Sequence, residues 1–347
     1  MAGSAVPRKR RKIQGVTMVD VARRADVSPS TVSLFLRRPE AVSLKVGDAV
    51  QAAIRELNYV PNLMAGGLAA ASSSVVGVIV PSVRNAFFAE TVAALQRELG
   101  QARLQILLGH TEYDQAVETE LVRTALSWAP AALVIAGTEH GKATRQLLEA
   151  ARVPVVQVWE LGGEAPIDMA VGFHHYEVGA AAARHLAARG RRRLVFFSGR
   201  ANDDKRAAQR AAGFLAAGRE LGLAVQHLSH PAPATTELGG ILFARMLKEF
   251  EGAEGVGIGC SNDLLALGSL FEAQRRQVAI PGQYAVIGFG DLEFAASCNP
   301  ALSTIKPFGD LIGSEAARLI LKSLADGEAR EHASIDTGFG LVHRQTS

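Results

Sequence analysis

The sequence predicts an N-terminal all-α head followed by an α/β core built as two parallel-sheet subdomains. Three observations predict it. Capped helical stretches fill residues 17–57, apolar runs alternate with helix-period stretches from residue 75 onward, and a segment carrying Pro61, Gly66 and Gly67 separates the two regions. With 347 residues, 48% of them apolar, the chain can bury one large or two ordinary cores, and it is far too apolar for a disordered protein.

The head reads as three short helices. Thr17 can cap the first, with Asp20 three residues on as a weak capping box, and Val21, Ala22 and Ala25 give that helix an apolar side. The segment Ala25-Asp26-Val27 is a turn in which Asp26 tolerates a left-handed backbone. Ser28 caps the second helix and Pro29 takes its first position, where a missing N–H costs nothing. Val32 and Leu36 face inward there, while Ser30, Thr31 and Ser33 remain small, polar and outward. Ser43 caps the third helix, whose Val46, Val50, Ile54 and Leu57 form one apolar stripe. Two helices joined by a short turn, the second presenting small polar groups at its start, form a helix-turn-helix. On pattern alone, a generic three-helix core with solvated serines stays open beside the DNA-binding reading.

Pro61 stops the third helix, because the residue before proline avoids helical angles. Residues 63–74 read as a hinge or linker with some helical potential. Gly66 and Gly67 weaken it, each by about 1 kcal/mol relative to Ala. Beyond it, apolar runs at 75–80, 104–108, 131–136, 153–158, 194–197, 255–258 and 285–287 alternate with helical stretches such as 88–99, 178–188, 207–221 and 264–273. Continuous apolar strands between helices indicate parallel sheets covered on both faces. A core spanning 75–347 is large for one such sheet, so two subdomains with a cleft between them are expected. No leucine heptad follows Leu341, so no C-terminal coiled coil is expected.

Charge is unevenly spread. Of 37 Lys plus Arg and 34 Asp plus Glu, residues 1–70 hold eleven basic and five acidic side chains, a surplus of +6 within a net +3. Five of those positives are Arg8, Lys9, Arg10, Arg11 and Lys12, so residues 1–16 read as a flexible basic tail and 17–62 as a nearly neutral module. A positive head on a mildly negative body suits a polyanion-binding module attached to something else, although a basic tail alone also serves as a solvated arm. No stretch approaches the roughly 18 apolar residues of a membrane helix, and no apolar run follows the basic one as in a secretory signal. The two cysteines, Cys260 and Cys298, cannot build a disulfide framework or a four-cysteine zinc site. A soluble cytoplasmic protein is expected, with no membrane partner.

Catalytic motifs are missing. There is no G-x-G-x-x-G after a strand, no G-x-x-x-x-G-K-[ST], no G-x-S-x-G and no H-E-x-x-H. His174 and His175 are adjacent, which makes a poor metal pair and fits a loop or helix start. Asp203-Asp204 fits a cap for the following helix. Asp291 in Gly288-Phe289-Gly290-Asp291 follows the C-terminal end of a strand, where open α/β sheets bind ligands. That placement alone does not separate an enzyme from a receptor. An enzyme fused to a DNA-binding head would need a nucleotide-binding loop, and a solute receptor an export signal; neither is found. No enzymatic activity, cofactor or metal is expected.

The motifs together resemble the LacI (lactose-repressor-type) family of transcriptional regulators. The resemblance runs through Val19-Asp20-Val21-Ala22, Val27-Ser28-Pro29-Ser30-Thr31-Val32-Ser33 and Leu57-Asn58-Tyr59-Val60-Pro61-Asn62. It continues in Gly77-Val78-Ile79-Val80-Pro81, Asn85-Ala86-Phe87-Phe88, Ser261-Asn262-Asp263, Val286-Ile287-Gly288-Phe289 and Leu302-Ser303-Thr304-Ile305. Leu126-Ser127-Trp128, His140, Pro154-Val155-Val156 and Asp168-Met169-Ala170-Val171-Gly172-Phe173 most resemble gluconate-utilisation repressors. The resemblance implies a homodimer whose heads read a pseudo-palindromic operator in double-stranded DNA, and a core similar to periplasmic sugar-binding proteins. It places Ser28, Pro29, Ser30, Thr31 and Ser33 at DNA-contact positions, with Thr17 toward the DNA backbone and Asn62 at the end of the motif. Leu68 matches a leucine that wedges a central base step in the minor groove, exchanging unstacking energy for a kinked duplex that meets more protein.

Leu34, Gly47, Ala49 and Leu63 stand where relatives commonly carry Arg or Lys, and Asp26 replaces a common turn glycine. The run Arg8–Lys12 is expected to restore the attraction to phosphate that those positions no longer supply. For the effector, the resemblance implies Asn85 and Phe88 from the first subdomain and Arg206, Arg210 and Asn262 from the second, with Asp291 at its strand end. Thr138 and His140 follow a strand end and suit rim contacts; for His140 a satisfied loop histidine is the other reading. A guanidinium fork at Arg210 suits a carboxylate, and Arg206, one turn earlier, adds charge or is a solvated helix residue. The expected effector is a sugar acid such as gluconate or a keto-gluconate, closing the cleft and releasing DNA; a neutral sugar or other metabolite is the alternative.

Overall fold

A computed structural model of the chain describes residues 15–60, 73–83, 86–200, 203–250, 255–327 and 332–347. The basic run Arg8–Lys12, Asn62, Leu63, the hinge glycines, Leu68 and Asn85 lie outside the described residues. The chain divides into two compact units, Met1–Ser72 and Ser73–Ser347.

In the first unit, α1 (Met18–Arg24), α2 (Pro29–Arg37) and α3 (Leu44–Leu57) enclose a small core of Val21, Ala22, Val32, Val50 and Ala53. Leu36, Val46, Ile54 and Leu57 pack against it, half-buried, with Phe35 and Tyr59. Asp26 turns the chain at φ 52° and Asn58 ends α3 at φ 48°, both in the left-handed region that short polar side chains tolerate. Ser43 occupies the N-cap of α3 in extended conformation, but its side chain makes no capping hydrogen bond, unlike those of Thr17 and Ser28.

The second unit contains two six-stranded sheets. The first subdomain begins β1 (Val75–Val80), α4 (Ala86–Gln101), β2 (Gln105–His110), α5 (Gln115–Ser127), β3 (Ala132–Ala136), α6 (Lys142–Ala150), β4 (Val155–Val158) and β5 (Met169–Gly172). The chain then crosses into the second subdomain. There α7 (His175–Ala188), β6 (Arg193–Ser198), α8 (Lys205–Glu220), β7 (Ala224–Ser229), α9 (Thr236–Glu249), β8 (Val256–Cys260), α10 (Asp263–Arg275), β9 (Tyr284–Phe289), the short α11 (Phe294–Ser297) and β10 (Ser303–Pro307) follow. Helix α12 (Gly309–Asp326) packs back on α4, β11 (Ala333–Asp336) joins the first sheet, and β12 (Phe339–Val342) rejoins the second. The chain thus passes between subdomains three times, at residues 173–174, 308 and 337–338.

The first sheet runs β11-β5-β4-β3-β1-β2, entirely parallel; the second runs β12-β10-β9-β8-β6-β7, with only β12 antiparallel. The apolar runs read from the sequence correspond to β1–β4, β6, β8 and β9; all of these but β2, the edge strand of the first sheet, are mostly buried. One continuous apolar cluster carries Phe88, Trp159 and Phe173 from the first half and Phe196, Phe214 and Phe289 from the second. The cleft therefore opens between halves that share a packed floor.

Candidate DNA interface and effector cleft

The head presents the start of α2 to solvent. Ser28 Oγ accepts from the Thr31 backbone N–H at 3.1 Å and lies 2.7 Å from Ser30 Oγ and 2.8 Å from Thr31 Oγ1. Pro29 and Ser30 are exposed, while Thr31 and Ser33 are half-buried rather than fully outward. The first turn holds no acid, so the partial positive charge of the helix end is not cancelled. Thr17 is exposed and completes its capping box: its N–H donates to Asp20 Oδ2 at 2.9 Å, and its Oγ1 accepts from the Asp20 N–H at 3.3 Å. Hydroxyls on an unneutralised helix start can donate to and accept from base edges and phosphates.

In the core, the C-terminal ends of parallel strands from both sheets converge on the cleft. Close helix packing positions its charged groups. A Cβ at Gly179 of α7 would collide with the Arg210 carbonyl of α8, and one at Gly213 with the Tyr176 carbonyl. The two helices therefore approach at backbone contact, which sets His175, at the start of α7, beside Arg210.

Arg210 is buried, its guanidinium 4.2 Å above the Phe289 ring. Nη1 donates to His175 Nδ1 at 2.8 Å and Nη2 to the Ser261 carbonyl at 2.9 Å, while Nε has no partner among the described residues. Both acceptors are neutral. Burial pulls the pKa of Arg210 down to about 10, with Asp204 opposing and Arg206 reinforcing the fall. Arg206 reaches the first subdomain: a Cβ at Gly137, where φ is 98°, would lie 3.0 Å from Arg206 Nη1 and 3.3 Å from Glu160 Oε2. Burial opposes its charge, but Asp204, Tyr113, Glu160 and Glu118 outweigh that and hold its pKa above the ordinary arginine value.

Two cavities adjoin at Tyr113. One, of about 130 Å³, is lined by Ser82, Glu112, Arg200, Arg210, Ser261 and Asn262 among others; the second includes Glu118, Glu139, Glu160, Lys205 and Arg206. Three contacts bridge the halves. Lys205 Nζ meets Glu139 Oε2 at 2.9 Å, Gln209 Nε2 donates to Glu160 Oε1 at 2.6 Å, and Arg200 Nη2 donates to Glu112 Oε2 at 3.3 Å while stacking on Tyr113. The carboxylates in these three contacts come from the first subdomain and their donors from the second, whose Asp203 and Asp204 also line the cavities.

Arg206, Arg210 and Asn262 lie together on this cleft. Asn262 also caps α10, accepting from the Leu265 N–H at 3.0 Å and donating to the Ala234 carbonyl at 3.2 Å. Thr138 is buried behind Glu160, its N–H donating to Glu160 Oε2 at 3.3 Å and its Oγ1 without a partner among the described residues. His140 is buried rather than on the rim. Gln157 Nε2 lies 3.1 Å from its Nε2, so that nitrogen accepts, and Nδ1–H donates to Glu118 Oε1 at 3.0 Å. Phe88 is buried against Trp159, ring centroids 5.0 Å apart, and lines neither cavity. Asp291 also lines neither; its Oδ1 accepts from Arg344 Nη2 at 2.7 Å. His175, Tyr113, Glu160 and Arg200 are site residues that reading along the chain did not find, because their partners are distant in sequence.

As expected, His174 and His175 form a helix start, and Asp204 caps α8 by accepting from the Ala207 N–H at 3.0 Å. Among the described residues no His, Cys, Asp and Glu cluster could hold a metal ion, and no helix is long and apolar enough to cross a membrane.

Known proteins share these features. Residues 17–62 match the family described as bacterial regulatory proteins, lacI family, residues 76–250 a periplasmic binding protein domain, and residues 183–347 a periplasmic binding protein-like domain. The HTH-type transcriptional regulator GntR of Pseudomonas aeruginosa is 38% identical over 95% of each chain. A LacI-family transcriptional regulator from Silicibacter pomeroyi superposes with a TM-score of 0.87 at 31% identity, covering 95% of this chain and 99% of the other. The fold is shared as well with the lac repressor dimer bound to operator and the anti-inducer ONPF, at a TM-score of 0.80 and 24% identity over 96% and 99% of the two chains.

Proposed function

Since the chain belongs to the LacI family and is a DNA-binding transcriptional regulator, we propose that it represses sugar-acid catabolism genes and leaves its operator when an aldonate such as gluconate closes the core cleft. The observation that carries this reading is Arg210, a buried guanidinium lining the cleft, whose hydrogen-bond acceptors are both neutral. Asp204 offsets only part of the cost of burying this cation, and an incoming carboxylate offsets more of it. Opposite it, Glu118, Glu139 and Glu160 offer acceptors for the hydroxyl groups of a polyol chain. A molecule anionic at one end and polyhydroxylated along the other matches both walls.

The head would bind through Ser28, Pro29, Ser30, Thr31 and Ser33 in the major groove, with Thr17 near phosphate. Residues 1–16 would act as a basic arm, and 63–74 as a hinge whose Leu68 enters the minor groove. Asn62 would contact DNA and Asn85 the effector, while Phe88, Thr138, His140 and Asp291 would act on the effector site through packing or through neighbours of the cleft. The operator-bound lac repressor dimer supports a homodimer. Exposed Ile241 and Phe271 on α9 and α10, and Val117 on α5, offer apolar faces for it.

The test is a melting-temperature panel of aldonates, keto-aldonates and neutral sugars, followed by anisotropy on an operator selected from random inverted repeats. A ligand that prefers the folded core raises its melting temperature. Stabilisation and operator release by an aldonate support the proposal. Stabilisation by a neutral sugar or a purine alone overturns the effector assignment.

A further inference from the structure

We propose that His175 is the positioning residue of the effector clamp, a neutral imidazole that orients the Arg210 guanidinium so that its unused donors meet a ligand carboxylate. The inference rests on the reading of the cleft as a sugar-acid site. It adds a residue that neither contacts ligand directly nor belongs to the effector positions expected from the sequence.

The geometry has three parts. First, the tautomer is fixed by surroundings: His175 Nε2 lies 2.8 Å from the Trp159 carbonyl, which can only accept, so Nε2 carries the proton and Nδ1 presents a lone pair. Second, that lone pair accepts from Arg210 Nη1 at 2.8 Å. Third, the ring cannot rotate away. It is 1% exposed, its centroid 4.6 Å from the Phe173 ring and 6.1 Å from the Phe289 ring over which Arg210 also stacks.

Arginine has five N–H donors, and here one is spent on His175 and one on the Ser261 carbonyl. Three remain, including Nε–H. A carboxylate in the position of His175 would have neutralised Arg210 and competed with an anionic ligand. A neutral acceptor holds the same orientation and leaves the charge available. Charged or titratable groups facing the imidazole are Arg210, Arg206 and His174, all of which oppose its protonation, as burial does first. The imidazole therefore stays an acceptor through the neutral pH range.

The experiment uses the full chain and three variants. H175Q can replace both hydrogen bonds, H175M fills the space without an acceptor, and R210M removes the clamp. Two readouts are taken on each variant that keeps the wild-type circular dichroism spectrum. In ligand-free protein, ¹⁵N spectra of the arginine side chains report rotation of the guanidinium, whose signal R210M abolishes. Titration calorimetry with D-gluconate, and with D-glucitol as the neutral counterpart, reports affinity. Slow rotation in wild type and H175Q is expected to become fast in H175M. Gluconate affinity is expected to fall about ten- to hundredfold in H175M, the scale of losing a hydrogen bond to a charged group, with H175Q within a few fold of wild type.

Unchanged rotation in H175M overturns the positioning role. If wild type binds no aldonate while rotation responds as described, the sugar-acid reading falls and the positioning role stands. If H175M does not fold, ¹⁵N-histidine spectra of wild type and R210M decide. Loss of Arg210 must move the His175 Nδ1 resonance, and an unmoved resonance overturns the proposal.

Discussion

A buried imidazole and a buried carboxyl give the core two opposite responses to pH. His175 is held well below its ordinary pKa, first by burial and then by Arg210 and Arg206. In the unfolded chain it takes up a proton near pH 6.5, and in the native core it does not, so stability is lost as pH falls below about 6.5. Asp263 behaves in the reverse sense. Burial raises its pKa to about 6, against hydrogen bonds from Thr304 Oγ1 at 2.6 Å and the Leu292 N–H at 2.9 Å. Its native form binds a proton that the unfolded form releases near pH 3.8, so its contribution is present below that value and lost as pH rises to about 6. Melting curves across pH 4–8 check both signs. H175Q is expected to fall less steeply than wild type toward low pH, and D263N to gain relative to wild type as pH rises from 4 to 7.

Among the elements, the α7–α8 pair carries the most consequence for the site. Its approach rests on Gly179 and Gly213, where a methyl group would meet backbone carbonyls that cannot yield as a side chain does. G213A is expected to destabilise the core by about 1–3 kcal/mol, the scale of overpacking, and to weaken effector binding by shifting Arg210 from His175. Denaturant unfolding with ligand titration checks this; unaltered stability and affinity would show that the helices can separate freely. Element by element, legibility in the sequence followed burial only in part, since β2 reads as an apolar run with no residue buried and the short, fully buried β5 does not. Strands β1, β3 and β4 read clearly because nearly every residue is inside, whereas β7 and β11 alternate with exposed positions and carry polar residues such as Gln226, His227, Ser334 and Asp336. The head helices were legible from Thr17, Asp20, Ser28 and Pro29 because capping is local chemistry. The clamp was half legible: Arg210 stands four residues before Phe214 in a recognisable segment, but His175, Trp159 and Ser261 reach it only through tertiary packing. His140 reads as a loop contact in one dimension, yet Gln157 and Glu118 close over it.

At the scale of the whole molecule, an electropositive head is joined to a sensor whose cleft is already bridged by Lys205–Glu139, Gln209–Glu160 and Arg200–Glu112. Under the proposed function, a ligand reaching these carboxylates and Arg210 would change the balance that sets the angle between subdomains. Moving such a balance from mostly operator-bound to mostly released takes about 5.5 kcal/mol of differential affinity. In the head, α2 carries exposed Leu34, at a position where the family resemblance leads one to expect a basic residue. Deleting residues 1–12 is therefore expected to weaken operator and random DNA alike, lowering the log–log salt slope by about 0.9 for each phosphate that the arm no longer neutralises. Anisotropy titrations in a salt series from about 50 to 200 mM read that slope, and an unchanged slope removes the arm from the interface.

Calorimetric titration of wild type and R210M with D-gluconate and D-glucitol puts the carboxylate clamp most directly at risk. Wild type should bind gluconate and discriminate against the uncharged polyol, and R210M should lose the gluconate signal while retaining its fold. Equal affinity for the two ligands, or gluconate binding that survives R210M, would contradict a buried arginine as the seat of effector recognition.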